Sequence, residues 1–208
     1  GTGMQTFDRP RFISLLWELQ PNKDEWIPLQ STPSGRGDFT GISELVRWEN
    51  GIGSLFQFMQ DKEKYENYKS GIWRAGSQYW TRTGILHGVM GNLPCARYMG
   101  YAYDTNAAVL LPKQSEHMVA IYCYSKSGEF STEVRKLDQK IMVTNATFLK
   151  VPFDIEHWTK IAEEQYPNGL PQPYTNDPTQ WIFHGHPCGS VIWNEDSKWT
   201  VHGELRVD

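Results

Sequence analysis

Arginine and aromatic side chains gather in two stretches of this chain. Trp73, Arg74, Tyr79, Trp80 and Arg82 fall within ten positions, and Arg97, Tyr98, Tyr101 and Tyr103 follow within seven. Guanidinium groups hold phosphates or take guanine edges, and aromatic rings stack on bases or pack on sugars. The composition therefore suits a surface that meets a polyanion. Large aromatics also build cores, and at least one of Trp73 and Trp80 is expected to be buried.

Other chemistries are weaker. His184-x-His186-x-Cys188, with His157 or His202 as a further donor, carries imidazole and thiolate groups that suit zinc. No second CxxC or HxxxH pair completes a tetrahedron by spacing, so no metal is expected. Glu133, Asp138 and Lys140 could give a nuclease its Mg²⁺-binding carboxylates and a lysine. They fall on an expected helix rather than on paired strands. Nothing around Cys95, Cys123 or Cys188 marks a nucleophile, and neither a P-loop nor a GxGxxG fingerprint is present.

The elements that must position these residues follow from pattern. Ala107 to Leu111 is a short apolar run closed by Pro112, as a buried strand would be, and Gly84 to Leu86 is a shorter one. The glycine-punctuated loop GVMGNLP lies between them. Trp26 to Leu29 is a strand candidate that Pro28 assigns to an edge. Leu45 to Trp48 ends in Glu49-Asn50-Gly51, a hairpin-type turn. Phe56 to Lys69 suits a helix, Ser70 to Arg82 a loop, and Met118 to Tyr124 either a strand or a helix. Phe130, Val134, Leu137 and Ile141 form a helical stripe, with Ser131-Thr132-Glu133 near its start. Val143 to Val151 alternates loosely and reads as a last strand.

Ile155, Trp158 and Ile161-Ala162 then form one face of a further helix, with Asp154 and Glu156 at its positive end. Tyr166 to Pro178 is a proline-rich strap. Val191 to Trp193 and Trp199 to His202 form a small hairpin. The expected fold is α+β: a mixed or antiparallel sheet with a few helices over residues 4–153. A C-terminal helix, strap and hairpin follow over 154–208. Gly1-Thr2-Gly3 reads as an expression scar.

The chain has 208 residues, 39% hydrophobic and 13% aromatic, enough for a core. No run approaches a membrane span, no signal-peptide pattern is present, and three scattered cysteines point to a reducing cytoplasm. The net charge of −4 argues against indiscriminate polyanion binding. The charge is uneven. Residues 154–208 hold nine acids and three bases, leaving 15 acids and 17 bases in residues 1–153. A nucleic-acid face is therefore expected in the first three quarters.

The segments WENG (Trp48 to Gly51), MGNLP (Met90 to Pro94), VTNATFLKVPFD (Val143 to Asp154) and DPTQWIFHGHP (Asp177 to Pro187) carry a family resemblance. The chain resembles the large adenine-specific DNA methyltransferases of bacterial restriction and phage-defence systems, of the type IIG and BREX-like kind. The likeness runs from about Trp26 to the C-terminus and is densest from Gly84 to Pro187. Such enzymes use an Asn-Pro-Pro-aromatic motif and a glycine-rich S-adenosylmethionine loop, and neither occurs here. The chain thus looks like their target-recognition region without the catalytic domain. The resemblance implies a target-recognition-domain-like fold, with base flipping and methyl transfer left to a partner domain.

The expected function is non-catalytic recognition of double-stranded DNA, with no cofactor. The partner would be the methyltransferase catalytic domain of the parent protein, and no membrane is involved. The candidate DNA-binding residues are Arg74, Tyr79, Arg82, Asn92, Arg97 and Tyr98, with Lys140 and Asn145 as a second patch. The Trp73 to Arg82 and Met90 to Tyr103 loops are expected to lie together at one sheet edge. The alternatives are a metal-dependent nuclease-like enzyme and a protein-interaction module of a larger polypeptide.

Overall fold

The structure is a computed structural model. It describes residues 2–18, 25–33, 41–66 and 71–170, apart from the Trp17 side chain, and the backbone of Ser190–Asn194 and Lys198–His202. The HGHPC cluster and most of the proline-rich strap lie outside the described residues.

The fold is α+β. A short helix, α1 (Arg9–Phe12), runs into β1 (Ile13–Leu15). Strands β2 (Trp26–Gln30) and β3 (Ile42–Arg47) follow, then α2 (Ser54–Glu66). The central region supplies β4 (Gly84–Gly88), β5 (Cys95–Tyr98), β6 (Ala102–Tyr103) and β7 (Ala107–Leu110). Three helices come next: α3 (Met118–Lys126), α4 (Gly128–Leu137) and α5 (Ile155–Gln165). The expected C-terminal hairpin is present as β8 (Ser190–Asn194) paired antiparallel with β9 (Lys198–His202).

Two sheets organise the rest. One has the order β1-β3-β2-β6, with a parallel β2–β6 pair. The other has the order β5-β4-β7 and is antiparallel. Strand β4 sits at the centre of the second sheet and is buried along its whole length, which is why it reads as a continuous run rather than an alternating one. Its first residue allows close pairing, because a Cβ at Gly84 would lie 2.4 Å from the Leu110 carbonyl oxygen. One face of β4 and β7 presents Leu86, Ala107 and Val109 to Tyr98 and Tyr103. The other presents Ala108 to a cluster built from α3, α4 and α5 with Phe130, Phe148 and Trp158. A third cluster, with Phe12, Val46, Leu55, Met59 and Trp73, packs α2 against the first sheet.

Gln30 joins the sheets: its amide donates to the Arg97 carbonyl at 2.7 Å and accepts from the Met99 N–H at 3.4 Å. Thr2 and Gly3, read from the sequence as an expression scar, are seated in the fold. Thr2 bridges Ala108, and the Met4 N–H donates to the Tyr103 carbonyl at 2.8 Å.

Several expectations change. Glu49-Asn50-Gly51 has the positive φ angles of a tight turn, but it leads from β3 into α2 and not into a hairpin. The Glu49 carboxylate is drawn onto the helix start, accepting from the Ser54 N–H at 2.6 Å and its hydroxyl at 2.5 Å. That hydroxyl holds the Glu49 carboxyl below its ordinary range. Strand β2 is interior by strand order, yet β6 reaches only Leu29 and Gln30. Pro28 therefore stands where the strand has a neighbour on one side, which satisfies the rule behind its edge assignment.

Val143 to Val151 is not a strand. Asn145–Leu149 forms a 3-10 helix, because the Asp138 carboxylate accepts from the Thr144 N–H at 2.9 Å and the Thr147 hydroxyl at 3.3 Å and so curls the segment. Met118 to Tyr124 resolves to helix. The stripe on α4 is half right. Phe130 and Val134 are buried, but Leu137 is 55% and Ile141 84% exposed, since the helix stops at Leu137. Its N-cap is Ser127, whose hydroxyl accepts from the Phe130 N–H, rather than the Ser131 to Glu133 stretch.

Helix α5 starts as read. Asp154 accepts from the His157 N–H at 3.1 Å, and Trp158 and Ala162 are buried. Asp154→Ala should lower stability by about 1 kcal/mol, measured by urea denaturation at pH 7, because one orphan amide of the first turn loses its acceptor. An unchanged midpoint would show that the cap contributes nothing.

Candidate nucleic-acid interface

The candidate residues divide between the two ends of β4. Arg82 precedes its first residue and Asn92 follows its last, so the strand holds the two about 13 Å or more apart by its rise per residue. The Trp73 to Arg82 loop does meet the later part of the second loop, through a 2.8 Å hydrogen bond from the Thr81 N–H to the Gly100 carbonyl. Its earlier part, Met90 to Asn92, lies at the opposite end. One contiguous edge formed by both loops is therefore not what the fold builds, because antiparallel pairing of β4 with β5 separates the two turns.

At the Gly84 end, Tyr79, Arg82, Lys113 and Asn145 line a cleft of about 260 Å³ with Val109 to Pro112 and Leu149. Tyr79 comes from a 3-10 turn (Ser77–Tyr79), and the Arg82 N–H donates to its carbonyl at 3.3 Å. Asn145 is held by a 2.9 Å hydrogen bond from its amide to the Thr2 hydroxyl. Arg82 and Lys113 are exposed at the rim. Tyr79 and Arg82 thus converge as expected, whereas the expected second patch is divided: Asn145 joins them in the cleft, and Lys140 stands at the other end of β4. Lys113 was missed, although it stands one residue beyond the proline that closes β7, and β7 pairs with the strand that Arg82 enters. That pairing was its only signal.

At the Gly88 end, Asn92 and Lys140 come together on a tip. The Arg135 guanidinium donates to the Gly91 carbonyl at 2.7 Å, to the Ile141 carbonyl at 3.5 Å, and to the Lys140 carbonyl. The Val143 N–H donates to the Val89 carbonyl at 2.8 Å. Two loops far apart in sequence are thereby clasped by one side chain.

Behind the tip lies a polar pair that the sequence reading did not identify. His87 is fully buried in β4. Its Nδ1 lies 3.4 Å from the Leu93 carbonyl, an acceptor only, so Nδ1 carries the proton. Nε2, 3.1 Å from the Ser125 hydroxyl, accepts from it. The ring stacks on Phe130 at 4.6 Å. Burial pushes the imidazole down to about 4, so it is neutral at pH 7. The carbonyl it holds belongs to Leu93, at φ 53°, a conformation that a non-glycine residue adopts reluctantly. The bond helps fix the Met90 to Leu93 turn.

The remaining candidates are not brought together. Tyr98 is 0% exposed, its hydroxyl donates to the Tyr101 carbonyl at 2.6 Å, and its ring meets Tyr103 edge-on at 5.5 Å. Burial raises the phenol of each tyrosine. Tyr98 is a core residue, and its assignment to the DNA face is corrected. Alternation along β5 decides this: Tyr98 points into the aromatic cluster, as Ala96 points inward. Arg97 is half-buried in β5 and lines neither the cleft nor the tip. Arg74 is exposed, with its guanidinium 5.8 Å from the ring centroid of the buried Trp73. The proposed nuclease carboxylates are committed elsewhere. Glu133 pairs with Lys136 at 2.5 Å, and Asp138 is engaged by the amides of Lys140 and Thr144.

Among the described residues, no group of three or more His, Cys, Asp or Glu is placed to hold a metal ion, and no helix is long and apolar enough to cross a membrane. No protein-family model matches the chain, and no curated protein matches it.

Proposed function

We propose that the chain is a DNA sequence-recognition segment of an adenine-specific DNA methyltransferase of a restriction or phage-defence system, acting in the cytoplasm. The chain itself supplies no catalysis and holds no cofactor. Its partner is the methyltransferase catalytic domain, which performs base flipping and methyl transfer. The observation that supports the DNA contact is the convergence of Arg82 and Lys113 with Tyr79 and Asn145 on one cleft. Two exposed cations on its rim can each neutralise a phosphate, and the phenol and amide beside them can donate to phosphate or sugar oxygens. The acid-rich residues after 153 then belong away from the duplex.

Fluorescence anisotropy of the 208-residue chain on a labelled duplex, across a salt series, tests this. Binding should be salt-dependent. Arg82→Ala/Lys113→Ala should weaken it about tenfold at low salt, evenly across sequences, and should reduce the salt slope by about two. Both side chains are exposed, so the fold should survive. A folded double variant with unchanged affinity and slope would remove the cleft from the interface.

A further inference from the structure

We propose that the tip formed by Met90–Asn92 and Gln139–Met142 reads A·T base pairs in the major groove, with amides on adenine and aliphatic side chains on thymine methyl groups. This rests on the DNA reading above and adds to it a sequence class and the residues that select it.

The tip exposes apolar side chains that an isolated surface would bury. Ile141 is 84% exposed, Leu137 55%, Met142 50% and Met90 42%. Scattered exposed aliphatics are ordinary, but Met90, Ile141 and Met142 stand on two loops joined through Arg135 and the Val143 to Val89 hydrogen bond, and Leu137 ends the helix that leads into the second of them. They are also held in place rather than loosely displayed. The Asp138 carboxylate accepts from the Lys140 N–H at 3.2 Å and the Thr144 N–H at 2.9 Å, and the Leu93 N–H donates to the Met90 carbonyl at 3.2 Å. A pre-organised protrusion loses little freedom on docking.

The polar groups around the aliphatics select the occupant. Asn92, Gln139 and Lys140 are exposed. The nearest carboxylates in sequence are Asp138, taken by backbone amides, and Glu133, paired with Lys136. A surface of two amides, a cation and aliphatic groups, its neighbouring carboxylates committed, is complementary to an anionic groove. Within the major groove, a side-chain amide matches the N6 donor and N7 acceptor of adenine, and aliphatic carbon meets the C5-methyl of thymine. Lys140 is suited to an adjacent phosphate.

The test selects duplexes bound by the 208-residue chain from a randomised pool and replaces thymine by uracil at enriched positions. Enrichment of A·T pairs is expected. Each contacted methyl should be worth about fourfold in affinity, the transfer cost of one carbon. Ile141→Ser and Met142→Ser should weaken binding by a similar factor and abolish the sensitivity to uracil, with the salt slope unchanged. Asn92→Ala should relax preference at one position by about tenfold. Thermal melts of the variants should match the parent, since these side chains are exposed.

Salt-dependent binding that ignores both uracil and Ile141→Ser would overturn the tip assignment while leaving the DNA reading intact. Absence of any salt-dependent binding would overturn both. Loss of association with the methyltransferase catalytic domain on Ile141→Ser, with DNA preference unaltered, would make the tip a protein interface and reject the proposal.

Discussion

Phe130→Ala should lower stability by about 3–5 kcal/mol, the range for deleting a large buried aromatic. Phe130 is 2% exposed and is the point where helix α4, the 3-10 turn Asn145–Leu149 and strand β4 meet. Its ring stacks on His87 at 4.6 Å, meets Tyr124 edge-on at 5.3 Å and lies 5.7 Å from Phe148. Truncation to Ala would lose the transfer free energy of the ring and leave a void beside an imidazole that has no charge to attract water. Chemical denaturation measures the change directly. A loss under 1 kcal/mol would mean that the cluster collapses around the gap. Should the variant not fold, Phe130→Leu is the milder probe, with the same sign and a smaller loss.

Stability should also fall by about 3 kcal/mol between pH 7 and pH 4 through His87 alone. The sign follows from where the proton binds. In the fold the imidazole is held near 4 by burial, whereas an unfolded imidazole titrates near 6.5. The unfolded state therefore takes the proton first as pH falls. The contribution is complete above about 6.5, declines below it, and levels off under about 4, where both states are protonated. Carboxylates held low in the fold, Glu49 among them, add a further loss at the acid end of the window. Two measurements isolate the histidine. Its carbon-bound ring protons, followed by NMR, should show no titration down to pH 5. The double variant His87→Leu/Ser125→Ala removes both hydrogen-bond partners and should flatten the decline between pH 7 and 5. A ring that titrates near 6.5 in the folded protein would contradict its burial.

The pair has a structural consequence for the proposed interface. His87 links Ser125 of α3 to the Leu93 carbonyl, and Leu93 ends the turn that carries Asn92. Protonation would turn Nε2 into a donor facing a hydroxyl and place a charge in an apolar cluster. The turn that presents Asn92 therefore shares its stability with the core beneath it.

Sequence by itself determined the parts whose signals are local. The α+β class, the strands at Gly84 to Leu86 and at Ala107 to Leu111 (the second ending at Leu110 and buried through Val109), helix α5 with Asp154 at its start, and the hairpin of β8 and β9 all follow from short-range periodicity, helix-end charge and turn chemistry. Tyr79, Arg82 and Asn145 were legible as residue types, and they do line one cleft.

Only the tertiary structure decided what depends on contacts between distant segments. The Val143 to Val151 segment has enough β-branched and apolar residues for a strand. It curls instead because Asp138 supplies an acceptor for its amides and hydroxyls. Tyr98 and Arg97 are adjacent and alike in their suitability for DNA, yet the pleat of β5 buries one and leaves the other half-exposed, a choice of face that a four-residue strand does not announce. The joining of Asn92 to Lys140 required Arg135 to reach across 44 residues, and the neutral state of His87 required a core on both sides of β4. Neither leaves a trace in local pattern, because hydrophobic burial and long-range hydrogen bonds are fixed by the packing of the whole chain.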